Sequence, residues 1–224
     1  MHRKINIAID GPAASGKSAA AYLLAKKINY QFMDTGIIYR SFTNYCLKNK
    51  IDFENQDLVL SALQLFDMKW VNGHFLFNDQ PSTEEIYNKN VTSKVPLIAT
   101  LVEVRKLIVA KIQEIVQNQG FIVVGRDISS VVLPNAQLKI FLTSSLHIRS
   151  ERRYQQYLKE GISITQEQVY NDMVIRDNID KTRSTGQLVI VKDAIILDNS
   201  DFILATTVAK LKILYDNYFI SHKK

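Results

Sequence analysis

One stretch near the start of the chain constrains the fold more than any other: residues 11–18 read Gly-Pro-Ala-Ala-Ser-Gly-Lys-Ser. They match the phosphate-loop pattern G-x-x-x-x-G-K-[ST] at every fixed position, between the apolar run 5–10 and a helix-forming stretch. Glycines let the backbone fold closely around phosphate groups, so that successive N–H groups point inward. The positive end of the following helix favours the same anions. The pattern therefore predicts a strand, a phosphate-binding loop and a helix, in that order.

The last two residues of the motif carry its chemistry. Lys17 can reach the β- and γ-phosphates of a nucleotide, and the hydroxyl of Ser18 is placed to ligate Mg²⁺. The alternative is an ordinary turn rich in Gly, Ser and Ala, but the flanking strand and helix favour a phosphate site. We therefore expect ATP or GTP as phosphoryl donor, while the motif leaves the acceptor open.

The composition is that of an ordinary globular protein. The 224 residues suit one α/β domain with insertions, and 46% of them are hydrophobic and 22% charged. No apolar run approaches the roughly 20 residues of a membrane span, and a strand predicted from residue 5 leaves no room for a signal peptide. The one cysteine, Cys46, lies in a helical pattern, and we interpret it as a small core residue. Because a lone cysteine excludes an internal disulfide, we expect a cytoplasmic protein.

The net charge of +6 allows two interpretations. A basic surface could bind nucleic acid, or the cations could surround several phosphate groups. No run of basic residues is longer than the terminal His222-Lys223-Lys224, and the arginines fall within short motifs. We therefore favour phosphate ligands, and we expect a monomer without nucleic-acid or membrane partners.

Strand and helix patterns alternate along most of the chain. Further strands are predicted at 30–34, 121–125, 138–142 and 195–198, with helical patterns between them. One of these patterns, from 97 to 117, predicts a single helix that Gly120 ends. The exception is 66–77, where Asn72-Gly73 predicts an antiparallel hairpin. Together the patterns predict a doubly wound parallel sheet with a small antiparallel β insertion at about 58–97.

The helix predicted after Thr165 has one informative face. Thr165 and Gln168 form a capping-box pattern that starts this helix. Residues spaced by four, three, four and three share a stripe that begins apolar and becomes ionic: Val169, Met173, Arg176, Asp180 and Arg183. A solvent-exposed ladder of ion pairs is the alternative interpretation. Because the ionic part continues the buried side, we expect it to face the protein or its ligand.

Charged side chains are concentrated where parallel α/β sheets bind ligands. Arg126 and Asp127 directly follow the strand 121–125, at its carboxyl end. Arginines suit bidentate phosphate recognition and stabilise charge on a transferring phosphoryl group. The ligand-facing candidates are Lys17, Ser18, Asp34, Arg40, Arg105, Arg126, Asp127, Arg149, Arg153, Arg176, Asp180 and Arg183. No Asn-Lys-x-Asp guanine motif occurs, and the chain is short for a helicase or transport ATPase. So many arginines therefore indicate two phosphorylated substrates.

Several of these motifs together resemble one family. The chain resembles the bacterial cytidylate kinases, (d)CMP kinases of the nucleoside monophosphate kinase group, from about residue 5 to about residue 213. The resemblance rests on residues 9–18 and on Met33-Asp34-Thr35-Gly36-Ile37-Ile38-Tyr39-Arg40, Gly125-Arg126-Asp127-Ile128, Val131-Val132-Leu133-Pro134, Lys139-Ile140-Phe141-Leu142, Glu151-Arg152-Arg153-Tyr154 and Arg176-Asp177-x-x-Asp180-x-x-Arg183. It implies a single P-loop kinase domain over residues 1–224, with a helical lid at about 153–184 and the hairpin in the monophosphate-binding region.

The resemblance also implies roles for individual residues. ATP would be bound by Gly11, Pro12, Ala13, Ala14, Ser15, Gly16, Lys17, Ser18, Ala19, Arg149 and Arg153. CMP would be bound by Thr35, Tyr39, Arg40, Arg105, Arg126, Asp127, Arg176, Asp180 and Arg183. The catalytic residues would be Lys17, Arg126, Arg176 and Arg183, and Ser18 would ligate the Mg²⁺ that accompanies ATP. The implied reaction transfers the γ-phosphoryl group of ATP to CMP or dCMP, which gives CDP or dCDP and ADP.

Three positions depart from the family pattern and bear on base and sugar preference. Pro96 stands where a Ser is usual in the helix before Arg105, Ser129-Ser130 where Gly-Thr is common, and Val124 where some relatives carry an acid. Two alternatives to a CMP kinase stay open. One is another small-molecule P-loop kinase that acts on UMP or AMP, and the other is a basic nucleic-acid-binding protein.

Overall fold

The computed structural model describes residues 4–222, which form an α/β protein. Their strands are β1 (Ile7–Asp10), β2 (Gln31–Asp34), β3 (Met68–Val71), β4 (His74–Phe77), β5 (Gln80–Pro81), β6 (Phe121–Gly125), β7 (Leu138–Thr143) and β8 (Ile195–Asp198). Their α-helices are α1 (Lys17–Ile28), α2 (Thr35–Lys48), α3 (Gln56–Gln64), α4 (Lys89–Ala99), α5 (Val102–Ile115), α6 (Leu146–Lys159), α7 (Gln166–Thr182) and α8 (Leu204–Ser221). Single turns of other helical pitch occupy Glu84–Tyr87, Val116–Asn118 and Ile128–Val132.

The described chain divides into two compact units. The first unit combines residues 4–33 with residues 119–222, and the second unit is residues 34–118. The β insertion predicted at about 58–97 lies within the second unit. None of the helices formed by residues 4–222 has both the length and the hydropathy that crossing a membrane requires.

The first unit is built on a five-stranded sheet in the order β2-β6-β1-β7-β8. β1 runs parallel to both β6 and β7, and β7 runs parallel to β8. Ala8 is as fully buried as Ile7 and Ile9, so both faces of the central strand are covered. This confirms the predicted doubly wound parallel sheet and the four predicted strands around β1.

The core of the first unit explains how the phosphate-loop strand is fixed. Small residues of α1, Ala20 and Ala21, lie fully buried in one cluster with Ile7 and Ile9 of β1. Leu211 of α8 packs into the same cluster. Because alanines carry no bulk beyond Cβ, α1 can lie close to the sheet and begin directly after the loop.

The second unit contains the predicted hairpin. β3 and β4 pair antiparallel, with Val71 opposite His74, and Asn72 and Gly73 form the turn at φ 51° and 83°. A two-residue hairpin turn of type I′ requires positive φ at both residues, and Asn-Gly adopts that conformation at little cost. β5 adds a short third strand that ends at Pro81. Proline is tolerated there because an edge strand need not donate from every residue.

The single helix predicted from 97 to 117 is wrong. The chain forms α4 and α5 instead, and Leu101 between them has an extended backbone (φ −73°, ψ 115°). Thr100 caps the C-terminal end of α4, where its hydroxyl donates to the carbonyls of Pro96 and Leu97. The apolar spacing continues across this break, which is why periodicity alone suggested one helix. Helix α3, which Asn55 caps, was not predicted either.

The only cysteine of the sequence lies inside the second unit. Cys46 is fully buried in α2, which confirms its interpretation as a core residue. Burial raises the pKa of its thiol to about 12 from an ordinary value of 9.0. The thiol is therefore protonated at neutral and mildly alkaline pH.

We expect Cys46 to resist thiol reagents for as long as the second unit stays folded. The thiolate is the reactive form, and both burial and the raised pKa suppress it. Labelling by a chromogenic disulfide at mildly alkaline pH should be at least about 100-fold slower in the native protein than in denaturing guanidinium. Rapid, stoichiometric labelling of the native protein would contradict the buried position of α2.

Candidate active site

The phosphate loop joins β1 to α1 with the backbone shape that the motif requires. Gly16 has φ 81° and Ala14 has φ 57°, so two of its residues adopt left-handed conformations. A Cβ on Gly11 would lie 2.0 Å from the carbonyl oxygen of Leu142, which only glycine avoids. Ser18 and Ala19 lie in the first turn of α1. The predicted strand, loop and helix are therefore confirmed.

Side chains of the first unit hold three carbonyl groups of the loop. The Lys17 ammonium donates to the carbonyl oxygen of Pro12 at 2.9 Å. The guanidinium of Arg149 donates to the carbonyl oxygen of Ala13 at 3.3 Å. The side-chain amide of Asn199 donates to the carbonyl oxygen of Ser15 at 2.9 Å. Because a peptide group points its C=O and its N–H in opposite directions, these contacts fix where the loop N–H groups point.

A buried carboxylate links the end of β1 to the segment after β6. Asp10 accepts hydrogen bonds from the backbone amides of Ile128 and Ser129 at 2.6 and 2.8 Å, and from the Ser129 hydroxyl. Burial raises the pKa of Asp10, and the hydrogen bonds from Ser129 and Ile128 oppose that rise. Sequence reasoning gave no separate role to Asp10, although Ser129 was noted as a departure from the family pattern.

Three predicted site residues meet around Asp180. Arg126 Nε lies 2.7 Å from Asp180 Oδ2, and Arg183 Nη1 lies 3.8 Å from Asp180 Oδ1. Arg183 Nη2 is also 3.9 Å from Asp127 Oδ1. The structure therefore brings the residues after β6 together with the end of α7, and the ionic stripe faces the protein as predicted. Arg183 itself lies one residue beyond the end of the helix.

The electrostatics of this cluster favour a charged carboxylate. Burial alone would raise the pKa of Asp180, but the charges of Arg126, Arg176 and Arg183 and the Arg126 hydrogen bond outweigh it. The pKa of Asp180 is therefore lowered, and the group is ionised at neutral pH. Several guanidinium groups consequently share one or two carboxylates, which leaves positive charge available for an anion.

The two arginines expected to bind ATP from α6 differ in their contacts. Arg149 is buried, and its guanidinium forms two hydrogen bonds with the carboxylate of Asp177, at 3.1 and 2.6 Å. Its Nε donates to the Ser144 carbonyl. Arg153 is half-buried, lies 5.7 Å from the ring of Tyr157 and donates to Gln156. Arg149 therefore ties α6 to α7 and to the loop, whereas Arg153 makes fewer contacts.

The second unit carries the other predicted site residues. Thr35 and Tyr39 are buried in the first half of α2, and Arg40 on the same helix lies 3.9 Å from Asp34. The guanidinium of Arg40 also lies 4.7 Å from the ring centre of Tyr87, a contact that the sequence did not predict.

Arg105 and Pro96 lie on neighbouring helices of the same unit. Arg105 is buried in α5, 5.7 Å from the Tyr39 ring, and donates to the Ala99 carbonyl at 3.2 Å. Pro96 lies inside α4. Val124, another departure from the family pattern, belongs to the first unit, where it is buried in β6 opposite Ile9 of β1. Within the second unit the structure therefore places Tyr39, Arg40 and Arg105 around α2, with two aromatic rings against the guanidinium groups.

The sequence is similar to those of known proteins. A family model for cytidylate kinase matches residues 7–216. A cytidylate kinase of Mycoplasma capricolum is 42% identical over 198 residues, which cover 88% of this chain and 89% of the relative. One of Mesoplasma florum is 37% identical over 222 residues, 97% of this chain and 100% of the relative.

A solved structure shares the fold. It is that of an uncharacterized protein from Eubacterium ventriosum, with a TM-score of 0.52 and 13% identity over 95% of this chain and 99% of that one. At that identity the likeness concerns the fold alone. The family model, by contrast, spans the loop and the arginine motifs, and the two relatives match 88% and 97% of the chain. The chain belongs to the cytidylate kinase family.

Proposed function

We propose that this chain transfers the γ-phosphoryl group of ATP to CMP or dCMP. The observation that carries the proposal is the cluster of Arg126, Asp180 and Arg183, in a unit that also holds a complete phosphate loop. The loop suffices for one nucleotide triphosphate, so a further set of guanidinium groups supplies charge for a second phosphorylated substrate. Membership of the cytidylate kinase family supports a cytidine monophosphate as that substrate.

We assign the donor to the loop and its neighbours. The ATP-binding residues are Gly11, Pro12, Ala13, Ala14, Ser15, Gly16, Lys17, Ser18, Ala19, Arg149 and Arg153. Lys17 lies on the Pro12 carbonyl and would exchange that acceptor for phosphate oxygens. Arg149 already makes four hydrogen bonds within the protein, so one of its five N–H donors remains for ATP unless it gives up part of its pairing with Asp177. Arg153 has fewer bonds to exchange.

We propose acceptor-binding residues in each of the two units. In the second unit, Arg40 and Arg105 bind the acceptor phosphate, and Thr35 and Tyr39 line its pocket. In the first unit the acceptor residues are Arg126, Asp127, Arg176, Asp180 and Arg183. The aromatic rings beside Arg40 and Arg105 restrict the guanidinium groups, so that less side-chain entropy is lost on binding.

The reaction needs no general base, because the acceptor phosphate is already an anionic nucleophile. The work of the protein is to align the two phosphates and to stabilise the charge that develops on the transferred group. Lys17, Arg126, Arg176 and Arg183 supply that stabilisation. Fixed donors in a site that excludes water are worth more than the same groups in solution.

The residues at the start of α1 fit a magnesium ion that arrives with ATP. Magnesium is usually held by one or two protein oxygens, substrate phosphates and several waters. Ser18 offers one hydroxyl there, and residues 4–222 contain no cluster of three or more His, Cys, Asp or Glu side chains arranged to hold a metal. Bound to that hydroxyl, Mg²⁺ would neutralise charge on the donor phosphates.

Two other functions would use some of the same features. A kinase for UMP or AMP would keep the loop and the arginines and differ only in base recognition. A nucleic-acid-binding protein would use the net charge of +6. We propose instead a cytoplasmic monomer that acts on small nucleotides without nucleic-acid or membrane partners. What supports small ligands is that three arginines of the first unit, Arg126, Arg149 and Arg183, are paired with aspartates.

We expect ADP release from ATP to depend on CMP or dCMP. A coupled assay with CMP, dCMP, UMP and AMP in parallel measures the acceptor directly. UMP and AMP should be phosphorylated at least about tenfold less efficiently, because a polar site rejects bases that leave its groups unpaired. Preferred phosphorylation of AMP would contradict the proposal. Salt-dependent binding of oligonucleotides without monophosphate-dependent ADP release would favour the nucleic-acid alternative.

We expect Lys17→Ala to abolish turnover with little structural damage. The variant removes the ammonium that stabilises the transferring phosphoryl group, and kcat should fall by at least about 100-fold. The native side chain contacts Pro12 within the loop, and alanine is a good helix former at the start of α1. Lys27→Ala, at the exposed end of the same helix, is the matched control. A near-normal kcat for Lys17→Ala would remove Lys17 from the catalytic residues.

We expect Arg183→Ala to lower kcat by at least about tenfold. Asp180 keeps its ion pair with Arg126 in this variant, so the cluster retains one of its cations and the fold should survive. Lys181→Ala removes an exposed cation from the same helix end and should leave kcat within about twofold. Equal rates for wild type and Arg183→Ala, measured at saturating ATP and CMP, would exclude Arg183 from the site.

A further inference from the structure

Asn199 contacts the phosphate loop but has no role in the function proposed above. It lies in the turn between β8 and α8, and only 3% of it is exposed. Its side-chain amide donates to the Ser15 carbonyl at 2.9 Å, and its backbone amide donates to the Thr143 carbonyl at 2.8 Å. A residue 184 positions away in sequence therefore holds the loop next to Gly16.

The contact fixes one peptide group of the loop. Ser15 and Gly16 share a planar peptide, in which the C=O of Ser15 and the N–H of Gly16 point in opposite directions. Holding the carbonyl on Asn199 therefore directs the Gly16 N–H to the other side. Gly16 has φ 81°, a conformation in which glycine can rotate this peptide at little cost, so an external anchor is needed to keep one orientation.

Arg152 determines which way the Asn199 amide points. Its Nη1 donates to Asn199 Oδ1 at 3.2 Å, and its Nη2 donates to the Asn199 backbone carbonyl at 2.9 Å. Because arginine can only donate, the amide oxygen must face Arg152, and the amide nitrogen is left to face Ser15. The guanidinium also donates to the hydroxyl of Ser144 and the carbonyl of Phe202, which holds it in place.

An amide is the group that this position requires. A carboxylate could accept from Arg152 but could not donate to the Ser15 carbonyl, and two oxygen acceptors would then face each other. An alanine would leave the Ser15 carbonyl and part of the guanidinium without these partners. Asn199 is thus matched on one side to a cation and on the other to a loop carbonyl.

We propose that Asn199, oriented by Arg152, is a positioning residue that holds the Gly16 N–H toward the phosphates of the nucleotide donor. Asn199 touches neither substrate in this role and acts through the loop backbone. The inference rests on the proposed function only in that the loop binds a nucleotide triphosphate. It adds to that function a residue that sets donor affinity from the far side of the loop.

The test is the dissociation constant of ATP, measured by titration calorimetry without acceptor, for wild type, Asn199→Asp and Asn199→Ala. Asn199→Asp keeps the size of the side chain and its contacts with Arg152 but removes the donor. Asn199→Ala removes the donor without adding charge, so a loss shared by both variants does not come from a carboxylate. We expect ATP to bind about tenfold more weakly in both, the effect of one lost hydrogen bond that positions a loop.

Arg152→Lys and Asn217→Asp complete the set. Arg152→Lys keeps the charge but loses the two-pronged contact, so the amide can rotate and ATP affinity should fall about threefold. Asn217→Asp makes the same chemical change on the exposed side of α8 and should match wild type. An unfolded fraction changes the stoichiometry of the titration but not the dissociation constant, so a partly unstable variant still gives an answer.

The KM for CMP separates positioning from general damage. We expect it to stay within about twofold of wild type while the KM for ATP rises. An ATP dissociation constant within twofold of wild type in both Asn199 variants would overturn the inference, as would equal rises in both KM values. A wild type that binds ATP but does not phosphorylate CMP would contradict the proposed function and leave the ATP comparison valid. A wild type that does not bind ATP would overturn both.

Discussion

The carboxylate of Asp10 is the interaction on which the geometry of the first unit depends. It ends the central strand β1, immediately before the loop begins at Gly11, and it binds the backbone immediately after Arg126 and Asp127. One buried side chain therefore fixes the phosphate loop relative to the arginine that follows the neighbouring strand. A buried carboxylate is tolerated only with such partners, because an unsatisfied acceptor in the interior costs about 1–3 kcal/mol. The hydrogen bonds that stabilise the carboxylate thus also hold the phosphate loop and the segment after β6 in place relative to each other.

Paired charges, more than isolated ones, characterise the rest of the first unit. Arg126 and Arg183 share Asp180, and Arg149 binds Asp177. A buried guanidinium without a partner would be costly, so these aspartates let the arginines be fixed before any substrate binds. Fixed dipoles and charges need little reorganisation during phosphoryl transfer, which is how they stabilise a transition state more effectively than water does. In the proposed reaction the pairing would therefore serve preorganisation as well as stability.

Local patterns predicted most of the fold, and long-range contacts account for what they missed. The loop motif, the Asn72-Gly73 hairpin and the Thr165 capping box each depend on a few neighbouring residues, and each is present. The break between α4 and α5 was missed because apolar periodicity runs through it. Asp10, Asn199 and Tyr87 were missed for another reason: their partners lie far away in sequence, and an Asp or Asn at a strand end has many possible uses. Arginine motifs indicated the site, but not which aspartate each would bind.

The contact between Lys17 and Pro12 has a consequence for what the loop can recognise. The ammonium is buried and already has a carbonyl as acceptor. A ligand oxygen that takes the place of that carbonyl gains only the difference between the two acceptors. A neutral carbonyl or hydroxyl would offer little over the oxygen of Pro12, whereas a phosphate oxygen adds a full ionic attraction. The Pro12 carbonyl thus competes with ligands for the ammonium, and the loop favours highly charged groups over neutral ones of the same shape.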